Sequence, residues 1–262
     1  MDKIFVNIID FFRFVGGGVA VTFNALAGVS FSRAAVRRWF EQMSAVGIDS
    51  LPIVIITMTF IGAVFALQLT SIFVMFGAGN YVGSVLTIAL AREMMPIFTG
   101  VVVAARVGAS FAAEIGTMKI TNQIDALKTL ATDPVAYLVT PRLYSLMIMM
   151  PVLGTFGMLV ATFGGAYVSA HNGVSYALFW ESASAFLQPY DLVGGIIKTI
   201  VFGMIITGTA CYIGLSTDGG AKGVGKSTTQ AVVWGIVFIF ASNFLMSYIL
   251  ITVHDKILKL GF

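Results

Sequence analysis

Charged residues are scarce in this 262-residue sequence, where Asp, Glu, Lys and Arg together make up 10% of the chain. A soluble domain carries roughly 25% charged residues, so the composition excludes an ordinary water-soluble protein. The formal net charge of +3 rests on too few Lys and Arg side chains to meet the phosphates of a nucleic acid. We therefore predict no nucleic-acid partner.

Cysteine and histidine are almost absent. The single cysteine, Cys211, excludes a disulfide framework and a cysteine-based metal site. The two histidines, His171 and His254, are far apart in the sequence. An enzyme acting within the membrane is a possible class, but no histidine or aspartate pair lies within a long apolar run to activate a nucleophile. We predict no metal, no cofactor and no catalytic residue.

Long apolar runs are abundant instead, and apolar residues form 58% of the chain. Residues 51–91 contain no charge and are too long for one crossing, which takes about 20 residues. The glycines of residues 77–80 divide this run into a helical hairpin. The whole sequence predicts an all-α integral membrane protein, whose five spans lie near residues 51–75, 82–112, 143–170, 192–215 and 229–253.

Lys and Arg are distributed unevenly between the connecting segments. They occur in residues 1–50, 113–142 and 216–228 and are absent from 76–81 and 171–191. Because positive charge marks the cytoplasmic side, we predict an N-terminus inside and a C-terminus outside. Residues 51–253 then form a single transmembrane domain that is followed by a short tail, 254–262.

The first 50 residues contain two amphipathic stretches. Polar residues recur at helical spacing in the first stretch: Lys3, Asn7, Asp10 and Arg13. In the second stretch an apolar stripe, Val36, Trp39, Phe40 and Met43, faces Arg33, Arg37, Arg38 and Glu41. Such helices lie along a membrane surface, so we predict interfacial helices on the cytoplasmic side.

Residues 220–227 match the phosphate-binding pattern G-x-x-x-x-G-K-S. That loop works where a strand leads into a helix within an α/β domain, whereas here it connects two predicted membrane spans. We judge the match from Gly220 to Ser227 to be spurious, and we expect ATP hydrolysis on a separate subunit.

Four ionisable residues lie within predicted spans: Arg92, Glu93, Arg106 and Lys198. Such residues are costly in a membrane and call for a partner or a function. We expect Glu93 to pair with a basic group on another helix or to face a wet cavity. Arg92, Glu93 and Arg106 are our candidates for lining or gating a substrate cavity, with a buried structural ion pair as the open alternative.

The cytoplasmic loop 113–142 contains an apolar stripe at helical spacing, Ile120, Ile124, Leu127 and Ala131, which ends before Asp133 and Pro134. A short amphipathic helix of this kind suits docking into a groove on a soluble partner. For a transporter without its own nucleotide site, that partner would be an ATPase.

The motifs of this region resemble those of MlaE/YrbE-type permeases. They are Glu-Ile-Gly-Thr-Met-Lys at 114–119, Gln-Ile-Asp-Ala-Leu at 123–127, Asp-Pro at 133–134, Pro-Arg at 141–142, Arg-Glu at 92–93 and the glycine-rich loop 219–225. Two positions depart from the family pattern: Asn122 stands where Glu is common, and Ala105 stands in place of Gly.

The resemblance implies a homodimeric permease of an ABC transporter in the cytoplasmic (inner) membrane. It implies phospholipid as cargo, an ATPase subunit docked at the loop, and a lipid-binding partner of the MCE type. The expected coupling residues are Glu114, Gly116, Lys119, Asn122, Gln123, Ile124, Asp125 and Leu127. The alternative is an ion- or proton-coupled secondary transporter, against which the odd span number and the missing inverted repeat count.

Overall fold

A computed structural model describes residues 2–29 and 32–259, without the side chains of residues 2–8, 34, 254, 255 and 257–259. All regular structure in these ranges is helical. The helices are α1 (Asp2–Ala27), α2 (Arg33–Gly47), α3 (Leu51–Met75), α4 (Val82–Ala89), α5 (Met95–Val103), α6 (Ala109–Ile120), α7 (Gln123–Thr129), α8 (Thr140–His171), α9 (Tyr176–Phe186), α10 (Pro189–Leu215) and α11 (Gly220–Lys259).

Six segments of the described chain are long and apolar enough to cross a membrane. They are Ile9–Ala27, Ala35–Met75, Gly79–Ile120, Val135–His171, Pro189–Leu215 and Gly220–Val253. The prediction of an all-α multi-pass membrane protein is thus confirmed, with one candidate span more than the five expected. The additional candidate span is Ile9–Ala27. Its last charged residue is Arg13, and residues 14–27 are uncharged and mostly apolar. The polar stripe predicted for this stretch includes Lys3 and Asn7, whose side chains lie outside the described residues.

Three short π-helical turns interrupt the long helices, at Leu90–Met94, Ala104–Gly108 and Val135–Val139. In the first, the N–H of Met95 bonds to the carbonyl of Leu90, five residues back. Two of these turns precede a proline by two residues, Pro96 and Pro141. Proline has no N–H and clashes with the carbonyl four residues back, so the wider turn accommodates it without ending the helix.

The chain divides into two compact units, of which the second comprises the described residues of Gly47–Val102, Met150–Val201 and Ile239–Phe262. Glycines of α8 pack closely against α3 there. Gly157 lies against Met58, Gly164 lies against Thr59, and Gly62 of α3 faces the backbone of Ala161. A hydrogen bond of 3.0 Å between Thr70 and Ser169 joins the same two helices. Close backbone approach of this kind drives helix association where no water is displaced.

The first unit comprises the described residues of Met1–Val46, Val103–Met149 and Phe202–Phe238. In it α1 packs on α10 and α11 through aromatic side chains. Phe14 lies 5.7 Å from the ring of Tyr212 and 5.3 Å from that of Trp234, between ring centroids. Gly17 lies directly under the Tyr212 ring, so only a residue without a side chain fits at that position.

We predict that Gly62→Ala lowers stability and that Gly16→Ala does not. A methyl group at residue 62 would overlap the carbonyl oxygen of Ala161, whereas nothing lies within 4 Å of one at residue 16. Overpacking of this kind costs about 2 kcal/mol. Thermal unfolding of both variants in the same detergent measures the difference, and equal midpoints would contradict the packing of α3 on α8.

Candidate functional site

A cavity of about 100 Å³ opens in the second unit, where three candidate spans contribute its walls. It is lined by Arg92, Glu93, Tyr190, Asp191, Gly194, Gly195, Lys198, Ser247, Leu250 and Ile251. Its volume is smaller than the several hundred Å³ of sites that enclose a whole drug-sized ligand, so it has room for one small group of a larger molecule. Arg92 and Glu93, two of the predicted site residues, are therefore neighbours in one cavity wall.

A break in the helix explains why these two residues face different partners. They lie in the π-helical turn Leu90–Met94, and Pro96 two residues further on cannot donate a hydrogen bond to the carbonyl of Arg92. Lys198 of α10 supplies a donor, with its Nζ 2.7 Å from that carbonyl oxygen. The lysine thus satisfies a backbone acceptor that the proline leaves exposed.

The carboxylate of Glu93 balances the charge of Lys198. Lys198 Nζ lies 2.9 Å from Glu93 Oε1 and donates to Ser247 Oγ at 2.7 Å. Asn243 Nδ2 donates to Glu93 Oε2 at 2.8 Å, and the Ser247 hydroxyl donates to Oε1 at 2.8 Å. All three protons of the ammonium group are used within the protein. The expectation that Glu93 pairs with a basic group on another helix is confirmed.

Arg92 is held differently. Its Nε donates to Asp191 Oδ1 at 2.6 Å, and Asp191 is itself only 1% exposed. The backbone N–H of Gln188 donates to the other oxygen, Asp191 Oδ2, at 3.0 Å. Among the described residues, neither terminal nitrogen of Arg92 has a protein partner, and its side chain is 41% exposed. The arginine therefore presents a fixed and open guanidinium fork to the cavity.

The structure does not bring the third candidate, Arg106, into this cavity. It belongs to the first unit, where its Nη1 lies 3.3 Å from the carbonyl oxygen of Ala45. The cavity contains Asp191 instead, which was not among the predicted site residues. The available signal was an acidic residue two positions after Pro189 at the start of a predicted span, where an unpaired carboxylate would be costly.

The predicted coupling loop, residues 113–142, does not contain one continuous helix, and we call its residues 121–134 the coupling segment. α6 ends at Ile120, and Asn122 adopts a left-handed conformation with φ of 59° before α7 begins at Gln123. Asn is one of the few residues other than Gly that adopt this conformation readily. The stripe predicted for a single helix is thus divided, and Ala131 lies beyond α7 with φ of 54°.

The apolar residues of the coupling segment have different environments. Ile124 is 2% exposed and partly buried Leu127 follows it, so the buried side of α7 rests on the protein itself. Leu130, which was not among the predicted coupling residues, is 74% exposed. Ile124 therefore anchors α7 to the protein, whereas Leu130 is an exposed apolar side chain at the end of this helix.

The polar residues of α7 form an exposed cluster. Asp125 lies 3.1 Å from Lys128 Nζ and 3.9 Å from Lys119 Nζ. The hydrogen bond from Lys128, with the charge of Lys119, lowers the pKa of the Asp125 carboxyl below its usual value. Asn122 and Gln123 are also exposed, so these expected coupling residues are accessible to a partner protein.

The remaining coupling candidates lie at the end of the candidate span Gly79–Ile120. Glu114 pairs with Arg142 of α8, with 2.7 Å between Oε2 and Nη2. Gly116 is buried, and a methyl group there would lie 3.0 Å from the hydroxyl of Thr217. These two residues fasten α6 to its neighbours within the first unit and do not form part of the exposed surface of α7.

The glycine-rich segment from Gly220 to Ser227 has none of the surroundings of a phosphate-binding loop. It follows a helix, and it forms the first two turns of α11. The hydroxyl of Ser227, which would bind Mg²⁺ in a true loop, is buried and lies 2.8 Å from Thr217 Oγ1. Throughout the described ranges, no group of three His, Cys, Asp or Glu side chains is arranged to hold a metal ion.

Comparison with known proteins gives a consistent result. The family described as permease MlaE matches residues 39–249. A probable ABC transporter permease protein of Synechocystis is 44% identical over 82% of this chain and 82% of its own length. A probable ABC transporter permease protein of Rickettsia prowazekii is 40% identical over 92% of this chain and 93% of its own. The chloroplastic protein Trigalactosyldiacylglycerol 1 of Arabidopsis thaliana is 41% identical over 80% of this chain and 61% of its own.

We predict that Lys226→Ala leaves ATP hydrolysis by the assembled transporter nearly unchanged. In a true phosphate-binding loop this lysine contacts the β- and γ-phosphates, and its loss would be severe. Here Lys226 is an exposed residue in the first turns of a helix. Crosslinking of a photoreactive ATP analogue to this chain, abolished by Lys226→Ala, would contradict the prediction.

Proposed function

Because this chain belongs to the MlaE permease family, we propose that it is the transmembrane subunit of an ABC transporter that moves phospholipid. Membership of a permease family identifies the chain as a transporter subunit. That its cargo is phospholipid is the part that we propose. The Arabidopsis relative, whose name includes a galactolipid, is consistent with a lipid substrate. The observation that carries the proposal is the free guanidinium fork of Arg92 in a cavity between apolar spans.

The chemistry of that fork favours a phosphate group. Arginine binds phosphate through two parallel N–H donors, and its geometry suits planar recognition of two oxygens. Asp191 engages only Nε of Arg92, which leaves both terminal nitrogens for a ligand. The cavity also has apolar lining from Leu250 and Ile251. A phospholipid supplies both groups, an anionic phosphodiester and an apolar chain.

In this proposal Glu93 shapes the cavity and does not bind the cargo. Its carboxylate already accepts hydrogen bonds from Lys198, Asn243 and Ser247. Lys198 has no proton left for a ligand. The two residues keep the cavity wall neutral and rigid, which leaves Arg92 as the contact for the charged part of the lipid.

The proposed assembly is a homodimer with a cytoplasmic ATPase at the coupling segment and an MCE-type lipid-binding protein on the opposite side of the cytoplasmic (inner) membrane. Family membership supports the ATPase, since an ABC permease works with a separate nucleotide-binding subunit. The buried Ser227 and the helical setting of residues 220–227 support hydrolysis on that other subunit.

The proposed orientation keeps the N-terminus inside and the C-terminus outside. That arrangement needs an odd number of crossings, so it requires Ile9–Ala27 to lie along the cytoplasmic leaflet. The Arg-rich face of α2, with Arg33 and Arg37 exposed, then lies among anionic headgroups, where each basic residue contributes about 1 kcal/mol.

An ion- or proton-coupled transporter was the alternative suggested by the intramembrane charges. Such a mechanism needs a group that is free to exchange an ion. Lys198 and Glu93 have their hydrogen bonds filled by the protein, and the family comparison favours an ATP-driven permease.

We predict that Arg92→Gln weakens phospholipid binding by about tenfold or more, because a hydrogen bond to a charged group contributes 1.5–3 kcal/mol. Arg92→Lys should rescue it only partly, since lysine keeps the charge and loses the fork. The measurement is crosslinking of a photoreactive phosphatidylethanolamine to the purified complex. Arg13→Gln, an exposed arginine whose side chain is 77% accessible, is the matched control. Equal labelling of all the variants would contradict a phosphate contact at Arg92.

We predict that Leu130→Ala weakens association with the ATPase by more than about tenfold, as truncation of a central interface anchor does. The neighbouring exposed change Thr129→Ala should have little effect. Ile124→Ala should lower the stability of the chain, because Ile124 is buried within it. Pull-down of the co-expressed ATPase with each variant tests this assignment, and full association of Leu130→Ala would show that docking uses another surface.

A further inference from the structure

At the N-terminal turns of α8 a buried arginine pairs with a half-exposed glutamate, and no catalytic or binding role explains the pair. Arg142, whose side chain is 9% exposed, lies 2.7 Å from Glu114 through Nη2 and Oε2. The two residues belong to α8 and α6, the helices on either side of the coupling segment. The pair therefore joins the two ends of the chain segment that contains α7.

Both members of the pair are fixed by further contacts. Arg142 Nη1 donates to the carbonyl of Leu138 at 2.7 Å, and the guanidinium lies 5.4 Å from the centre of the Phe111 ring. The hydroxyl of Ser110 donates to Glu114 Oε1 at 2.9 Å. Removal of the carboxylate charge would leave a buried cation without its counter-ion, which is strongly unfavourable.

Residues beside Arg142 cap the end of α1. The last carbonyls of a helix have no partner within it. Thr140 Oγ1 donates to the carbonyl of Ala25 at 3.0 Å, and the Tyr144 hydroxyl donates to that of Leu26 at 2.9 Å. These carbonyls belong to the final turn of α1, so the C-terminus of that helix is attached to α8.

The same turns of α8 also contact α2. Ser145 Oγ donates to the carbonyl of Trp39 at 3.0 Å, and the Trp39 ring is stacked on Tyr144 with 5.4 Å between centroids. The start of α8 thus joins α1, α2 and α6 through polar contacts within the first unit. We call residues Thr140, Arg142, Tyr144 and Ser145, together with Glu114, the α8 junction.

We propose that Arg142 is a positioning residue for energy coupling, and that the α8 junction makes α1, α2 and the coupling segment move as one body. The proposal rests on the function proposed above, because the motion would begin where the ATPase binds α7. Neither Arg142 nor Glu114 contacts lipid or nucleotide in it. Their pair fixes the angle between α6 and α8, and the hydrogen bonds beside it pass a displacement of the coupling segment to α1 and α2.

Hydrogen–deuterium exchange of the full chain in nanodiscs tests the junction without the ATPase. Glu114→Gln should raise amide exchange by about fivefold both in residues 121–134 and in residues 33–47. Glu41→Gln is the matched control, since it breaks the exposed pair between Arg37 and Glu41. An increase confined to α6, or equal increases in the control, would overturn the proposal. Tyr144→Phe, which removes one hydroxyl only, replaces Glu114→Gln if that variant fails to fold, and should raise exchange at the end of α1 and in residues 33–47.

The transport experiment tests the positioning role. In the complex with the ATPase, Arg142→Gln, a change at a buried residue outside the exposed surface of α7, should keep ATPase association and basal hydrolysis within about twofold while phospholipid transfer per ATP falls by about fivefold or more. A merely structural role would lower hydrolysis and transfer together, and that result would overturn the proposal. Failure of the wild-type chain to bind an ATPase or to move phospholipid would refute the proposed function instead. The exchange result would still decide whether the α8 junction couples α2 to the coupling segment.

Discussion

A backbone carbonyl inside a membrane must find its donor within the protein, and Pro96 leaves the carbonyl of Arg92 without the usual one. The arrangement of the cavity depends on how that acceptor is satisfied. Lys198 donates to it, and the lysine then needs an anion, which Glu93 provides. The carboxylate in turn takes hydrogen bonds from Ser247 and Asn243 on α11. One missing N–H thus fixes side chains from α10 and α11 around a single turn of the candidate span Gly79–Ile120.

Much of the fold could be predicted from residue patterns. Apolar runs located the long helices. The residue patterns are ambiguous where they change within one segment. The polar stripe that ends at Arg13 favoured a surface helix, although Ile9–Ala27 is also apolar enough to cross the membrane. Likewise, the apolar stripe of the coupling segment could not predict the left-handed Asn122 that divides it.

The candidate site was only partly predictable, because partners come from distant parts of the chain. The cost of a charge in a membrane identified Arg92, Glu93 and Lys198, but sequence alone could not pair Arg92 with Asp191, which is 99 residues away. Arg106 met the same criterion and lies in the other unit. The exposed Leu130 was not predicted because the helical spacing of apolar residues selects side chains that face the protein, such as Ile124.

Two arginine–carboxylate pairs among the described residues differ in what they leave free. The terminal nitrogens of Arg142 donate to the Leu138 carbonyl and to Glu114, and the residue is only 7% exposed, so its guanidinium is closed to a ligand. Arg92 gives Nε alone to Asp191 and keeps its fork open to a cavity. Their surroundings in an apolar protein would suggest the same role for both residues. The N–H donors that are already bonded within the protein distinguish Arg92 from Arg142. A binding residue must keep donors for its ligand, whereas a positioning residue donates to its neighbours.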